Sequence, residues 1–350
     1  MAAAKVCFTG GRVFFRGTGV FSFSVDDDMG NPTISTETTE EFKVEGISLV
    51  IPAYREELAI VGVIEEYRQM LEQLGYAYEI IVVDDASPDR TGELALKAGA
   101  RVIRHTANRG GGAARKTGIK AARWDAVLMT DGDGTYPADA LGEIIGRLRH
   151  AHMVVGARVA EKGTLKVIRW TAKWLIRRLA CFLAGTHIPD LNSGLRLVRR
   201  DLALRFFYLL PNGHSWVSTI TLCALTNDLR VDFVPVSYRP RQGVSSFHPI
   251  RDTYNYFLTV VRTVTYFNPL KVFMPASLLM LVVGAATLVH GVIRGDVYES
   301  SMLITIAGLL TFFSGLLADQ NARIRNELEH HRQAQQHQEQ LLADKLEKGK

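Results

Sequence analysis

The stretch AVLMTDGDGTYP, residues 126–137, joins an apolar run to two acids spaced two apart, Asp131 and Asp133. Side chains alternate along a strand, so a strand over Ala126 to Thr130 would deliver both carboxylates to one side of its carboxyl edge. Gly132 and Gly134 let backbone approach a ligand closely. Mg²⁺ or Mn²⁺ bound by one or two carboxylates usually completes its shell with phosphate oxygens, which makes a nucleoside diphosphate the natural guest. The competing reading is an acidic turn that closes a buried strand.

Outward from this stretch the chain alternates between two periods. Ile47 to Ile51, Glu79 to Val83, Ala100 to His105 and His152 to Gly156 read as further strands. Residues 57–74, 91–98, 112–122 and 138–149 read as helices. The rhythm predicts an α/β fold, a mostly parallel Rossmann-like sheet covered by helices, with ligand groups at the strands' carboxyl ends. Asp84, Asp85, Asp131 and Asp133 all fall there. GGGAARKT, residues 110–117, is not a P-loop, because Arg115 stands where that motif needs glycine before its Lys-Thr. Either its amides with Arg115 or Lys116 face a diphosphate, or it is a tight strand-to-helix turn.

The chain has 350 residues, 47% hydrophobic and 22% charged, enough for one substantial core plus something smaller. Val272 to Ile293 is nearly uncharged and about 33 Å long as a helix, while Met302 to Leu317 reaches about 24 Å. Together they predict a transmembrane hairpin, with a buried helical hairpin as the alternative. Lys271, Arg262, Arg323 and Arg325 flank its outer ends, so both chain ends are expected in the cytoplasm. A net charge of +5, concentrated beside apolar stretches, suits an anionic membrane surface better than nucleic acid. Cys7, Cys181 and Cys223 are too few and scattered for a disulfide scaffold.

Residues 1–45 lack periodicity and read as a disordered extension. Residues 46–247 form the catalytic domain, 248–269 a juxtamembrane segment, 270–318 the two membrane helices and 319–350 a polar cytoplasmic tail. Leu165, Ile168, Leu175, Leu179 and Phe182 share one face of a possible interfacial helix over 165–183. Tyr254, Phe257, Leu258 and Val261 suggest another, and core packing is the alternative for both.

The segments SLVIPAYREE, EIIVVDDASPDRTGE, NRGGGAARKTGIKAA, MTDGDGTYP, VVGAR, DLNSGLRLVRR and VPVSYRPRQGVSSFHPIRD occur in the order seen in family 2 glycosyltransferases. With its apolar tail, the chain resembles the polyprenyl-phosphate branch of that family. The resemblance implies a GT-A fold, a nucleotide-sugar donor (UDP- or GDP-linked) and Mg²⁺ or Mn²⁺ on Asp131 and Asp133. It places Pro52, Tyr54, Glu56, Asp84 and Asp85 on the donor side, with Asp84 alternatively a structural companion of Asp85. Arg158, Arg169, Arg241 and Ser245 are implied for the acceptor phosphate. Asp133, Asp190 and Arg241 are the catalytic candidates.

A lipid phosphate is already largely ionised near pH 7, its second pKa being about 6, so no strong general base is required. Asp190 is therefore expected to orient rather than deprotonate. Arg241 stands just before the membrane-proximal segment, which predicts it on the acceptor side rather than beside the aspartate pair. Two departures from the family pattern are Thr135, where glutamine is frequent, and Ser246–Phe247, where a lysine often follows.

These expectations converge on a membrane-anchored enzyme that moves one sugar to polyprenyl phosphate at the cytoplasmic face, with the bilayer as partner and a homo-oligomer left open. The alternatives are transfer to another membrane lipid or glycan, or a catalytically silent membrane scaffold.

Overall fold

The computed structural model describes short strands within residues 7–22 and residues 41–159, 178, 180–182, 185–213, 215–241, 249–295 and 298–348. Met1–Lys43 is a unit by itself. Its strands β1 (Cys7–Thr9), β2 (Arg12–Phe14) and β3 (Phe21–Ser22) form an antiparallel sheet in that order. Thr9 pairs with Arg12, and the residues between them in sequence are Gly10 and Gly11, a composition favoured in two-residue hairpin connections.

The second unit, Val44–Lys350, opens with β4 (Gly46–Ala53), α1 (Ile60–Gln73), β5 (Ala77–Asp84), α2 (Thr91–Lys97), β6 (Arg101–Arg104), α3 (Gly111–Ala121), β7 (Ala126–Met129), α4 (Leu141–Leu148) and β8 (Met153–Arg158). There follow β9 (Arg196–Arg199), α5 (Arg200–Arg205), α6 (Trp216–Thr226) and β10 (Val231–Val236). The seven strands lie in the order β10-β8-β9-β7-β4-β5-β6, all parallel except β9, which runs against both neighbours. Ala53 sits opposite Asp84 and Val50 opposite Met129, so the acids after β5 and β7 leave from the same edge. The central strands are apolar on both faces, as expected for a sheet covered twice.

One face is closed by Val50, Val83, Met129 and Val155 against Phe206 and Trp216, with Phe267 joining from α7 (Pro249–Phe267). Val260 and Val264 of that helix are also buried, beside Ile188 and Leu222. Tyr254, Phe257 and Leu258 are exposed. The juxtamembrane helix thus packs on the domain with one face and offers an apolar face outward. The corresponding proposal for 165–183 falls mostly outside the described residues.

Helix α8 (Leu270–Arg294) ends on Gly295 in the left-handed region, and α9 (Glu299–Lys348) returns. Leu270–Arg294 and Glu299–Arg325 are each long and apolar enough to cross a bilayer, with only 11% and 17% of their apolar windows buried. Low burial separates them from core helices. The helices meet where Gly284 faces Thr305, Gly308 faces Leu281 and Gly315 faces Phe273. Small residues at such crossings let helix backbones approach where no hydrophobic effect drives association.

Candidate active site

Strand β7 stops at Met129, so Asp131 and Asp133 lie in the turn beyond it rather than on the strand. The turn, with Gly134 at φ +73°, brings them together in place of strand alternation. Asp133 is buried, and its Oδ1 accepts from the Thr135 hydroxyl at 2.7 Å and amide at 3.2 Å. Burial, then the neighbouring Asp131 charge, raises the Asp133 pKa. Thr135, noted as a family departure, thus fixes the acid.

Glu56 follows β4 and is almost fully buried. Its amide donates to Thr91 Oγ1 at 2.9 Å. Arg241 donates to Glu56 Oε1 at 2.5 Å and brings its Nε to 3.6 Å from Asp133 Oδ2. Glu56 Oε2 has no partner among the described residues. Burial pushes the Glu56 carboxyl up to about 7, against the pull of Arg241 and with help from Asp133 and Asp131. Arg241 therefore stands beside the aspartate pair, not away from it. The segment that carries it is tied inward by the Arg239 amide donating to Thr135 O at 2.9 Å, a contact invisible in local sequence.

Arg115 of the glycine-rich stretch reaches Asp131 Oδ1 at 2.5 Å and is itself buried. The loop's amides are taken by protein: Arg109 and Gly110 donate to Asp85, and Ala113 donates to the Asn212 carbonyl. A Cβ on Gly110 or Gly112 would collide with backbone at 211–212. The stretch is thus a close-packed strand-to-helix turn that anchors Asp85 and delivers the Arg115 guanidinium to Asp131. Gly194 is equally constrained, because a Cβ there would overlap the Asp131 carboxylate. Its amide donates to Tyr136 Oη at 2.8 Å, and Tyr136 O accepts from buried Tyr67. Sequence reading left Gly194, Tyr136 and Tyr67 out of the site; the SG of DLNSG was the available signal.

Asp190 grips Arg158 in a bidentate pair, with Oδ2 to Nε at 2.7 Å and Oδ1 to Nη2 at 2.9 Å. Burial pushes Asp190 up, but the Arg158 hydrogen bond and charge outweigh it, leaving the carboxyl below its ordinary value. Both side chains are nearly buried, at 14% and 11% exposure. Removing one partner of such a pair strands the other. Asp190→Asn should cost about 3 kcal/mol near neutral pH. A carboxyl with a depressed folded pKa contributes stability above its unfolded pKa and loses it as pH falls through the folded value. The gap between Asp190→Asn and the parent in denaturant titrations should therefore narrow below about pH 4; a gap constant down to pH 2 contradicts the pair.

Asp85 accepts from His105 Nδ1 at 2.6 Å besides the two loop amides. Asp84 is fully buried, takes the Ser87 amide at 2.9 Å and lies 3.4 Å from Arg104. Pro52 closes β4 opposite Val83, and Tyr54 lies under the Arg55 guanidinium. Arg169 and Ser245 fall outside the described residues.

The mostly parallel sheet covered by helices, with paired carboxylates beyond its edge, defines a GT-A type glycosyltransferase. The chain belongs to glycosyl transferase family 2, whose model matches residues 48–207, and residues 268–324 match the GtrB C-terminal hairpin. Among relatives, the glycosyltransferase AglJ of Haloferax volcanii is 28% identical over 76% of this chain and 89% of its own length. A dolichyl-phosphate hexose transferase of the same organism is 30% identical over 60% and 90%. Undecaprenyl-phosphate 4-deoxy-4-formamido-L-arabinose transferase of Pseudomonas aeruginosa is 30% identical over 49% and 55%. Glucosyl-3-phosphoglycerate synthase of Mycobacterium tuberculosis, solved with Mn²⁺, UDP-glucose and phosphoglyceric acid, aligns with a TM-score of 0.51 at 20% identity over 63% of this chain and 80% of that one. At that identity the likeness is one of fold.

Proposed function

We propose that this protein transfers a single sugar from a nucleotide-sugar, UDP- or GDP-linked, to polyprenyl phosphate at the cytoplasmic membrane face. The observation that carries the proposal is the meeting of Asp131, Asp133 and Glu56 with Arg115 and Arg241, in a unit that continues into a hairpin of membrane-spanning length. Names of relatives that act on dolichyl or undecaprenyl phosphate point to the same acceptor class.

The residues fit a divalent ion. Three mutually repelling carboxylates, one with an unpartnered buried oxygen, favour added positive charge. Asp131 and Asp133 would hold the ion beside the donor's diphosphate. When bound, Mg²⁺ or Mn²⁺ neutralises charge on the departing nucleoside diphosphate. Arg115 holds Asp131 in place from below, and Arg241 brings a permanent cation to the same pocket. An acceptor phosphate oxygen forms the new bond to the sugar's anomeric carbon as the bond to the diphosphate breaks. Asp190 orients Arg158, and an acceptor phosphate that is already ionised has no proton for it to remove. The basic residues Arg262, Lys271, Arg323 and Arg325 at the hairpin's outer ends support the cytoplasmic orientation.

Purified protein in detergent, given Mg²⁺ or Mn²⁺, undecaprenyl or dolichyl phosphate and a panel of radiolabelled UDP- and GDP-sugars, should yield a labelled lipid from one donor. Transfer to a different lipid or glycan, or no transfer from any donor by folded protein, overturns the proposal.

A further inference from the structure

A groove of about 960 Å³ opens between α7, the middle of α9 where its apolar span ends, and the loop before α6. Its lining shares no residue with the aspartate site. Arg262 enters from α7 and Arg325 from α9, with Asn321 and Tyr266 between them. No acid is among the described residues that line the groove. Of the acids flanking its α9 residues, Asp319 is engaged by Arg323 at 2.9 Å and Glu327 is exposed.

The two arginines differ in how they are held. Arg325 lies on the Tyr266 ring at 3.5 Å from its centroid and donates to the Tyr266 carbonyl at 2.6 Å. Its Nε is buried without a partner among the described residues. Arg262 is exposed, and no hydrogen bond or ion pair to it occurs among the described residues. Two cations therefore face one cleft whose described lining carries no carboxylate. The cleft also has apolar wall, supplied by Leu258 and Val261.

Depth selects the occupant. Arg325 closes the apolar span Glu299–Arg325, and α7 ends at Phe267, just before the other span begins at Leu270. The groove thus opens where a bilayer's phosphate groups lie, flanked by a tyrosine of the kind enriched at that level. Anionic lipids attract basic residues placed there.

We infer that the groove between α7 and α9 binds the phosphodiester headgroup of an anionic bilayer phospholipid, held by Arg262 and Arg325 with its glycerol and upper acyl segments against Leu258 and Val261. This lipid is neither donor nor acceptor. Pro211 and Gly213, which line the groove, flank Asn212, whose carbonyl holds α3, so the lipid would brace the backing of the glycine-rich turn.

The test uses the full chain, delipidated in neutral detergent and titrated with dioctanoyl phosphatidylglycerol by native mass spectrometry. Saturable binding is expected, with dioctanoyl phosphatidylcholine much weaker. Arg262→Gln should weaken the anionic lipid about five- to tenfold, and Arg262→Lys should retain most of the affinity. Arg262 has no hydrogen-bond or ion-pair partner among the described residues, so the Gln variant should keep the parent's circular dichroism and unfolding midpoint. Equal binding of the two lipids, or undiminished affinity in Arg262→Gln, overturns the inference. So does displacement by inorganic phosphate, which indicates a free-anion site, or by undecaprenyl phosphate at matching potency, which indicates the acceptor's own site. Because binding rather than turnover is read, failure here leaves the proposed transfer reaction standing, and the reverse holds.

Discussion

Asp131→Asn and Asp133→Asn should each lower sugar transfer by at least about a thousandfold, yet move stability in opposite directions. The shared loss follows from chemistry. A divalent ion that neutralises the leaving diphosphate supplies several kcal/mol of transition-state stabilisation, and about 1.36 kcal/mol is a factor of ten. Either amide removes half of the protein's charge at that position. Stability divides the pair, because their surroundings differ. Asp131 is the anionic partner of buried Arg115, so the amide leaves that guanidinium under-compensated and should cost about 1 to 3 kcal/mol. Asp133 is a buried carboxylate whose pKa is raised by burial and by Asp131. A carboxyl with a raised folded pKa takes up protons on folding, so its ionisation erodes stability as pH rises past the unfolded value. Asp133→Asn should therefore match or exceed the parent's stability, with its advantage larger at pH 7 than at pH 4. Activity assays paired with denaturant titrations of metal-free protein check both halves. Equal destabilisation by the two amides would contradict the described partnership of Arg115 with Asp131, and wild-type turnover in either would remove the metal assignment.

The same contrast shows how far the sequence could be read. Apolar runs alternating with 3.6-period segments marked β4, β5, β6, β7 and β8 and the helices between them, since each is a local pattern. β9 escaped. Its LRLVRR context carries charge at Arg196 and Arg199, three apart and so on opposite faces of a strand, where charge argues for solvent, whereas Arg196 is fully buried and donates to the Val217 and Ser193 carbonyls. Antiparallel insertion of β9 between β7 and β8 also joins segments far apart in the chain, which no local period encodes. In the site, Asp131 and Asp133 were legible as neighbours because only Gly132 separates them. Arg115 was visible as a cation on a glycine-rich turn, but its target was not. The glycines looked like a phosphate cradle, while their small size serves contact with backbone at 211–212. Burial of Glu56 likewise depends on partners from three elements.

Arg241 carries the sharpest consequence of that limit. Its position in sequence predicts an acceptor-side guanidinium whose removal spares the donor, but the structure sets it between Glu56 and Asp133. Arg241→Ala would leave Glu56 buried beside two aspartates with its principal cation gone. The Glu56 carboxyl already stands at about 7, and without the guanidinium it should rise further and hold its proton through the neutral range. Loss of a charge-assisted contact to phosphate costs about 1.5 to 3 kcal/mol, and disordering the aspartate beside it adds to that. Transfer should fall by roughly a hundred- to a thousandfold. Part of the loss should be seen in the donor: metal-dependent nucleotide binding by calorimetry is expected to weaken about tenfold. Arg241→Lys should rescue only partly, because an ammonium cannot reach both Glu56 and Asp133 with one planar fork. Glu56→Gln separates the two contributions, since it keeps the arginine and removes the titrating neighbour. Nucleotide affinity unchanged in Arg241→Ala, with only polyprenyl phosphate dependence altered, would return Arg241 to the acceptor side and show that its contact with Asp133 yields when donor and metal arrive.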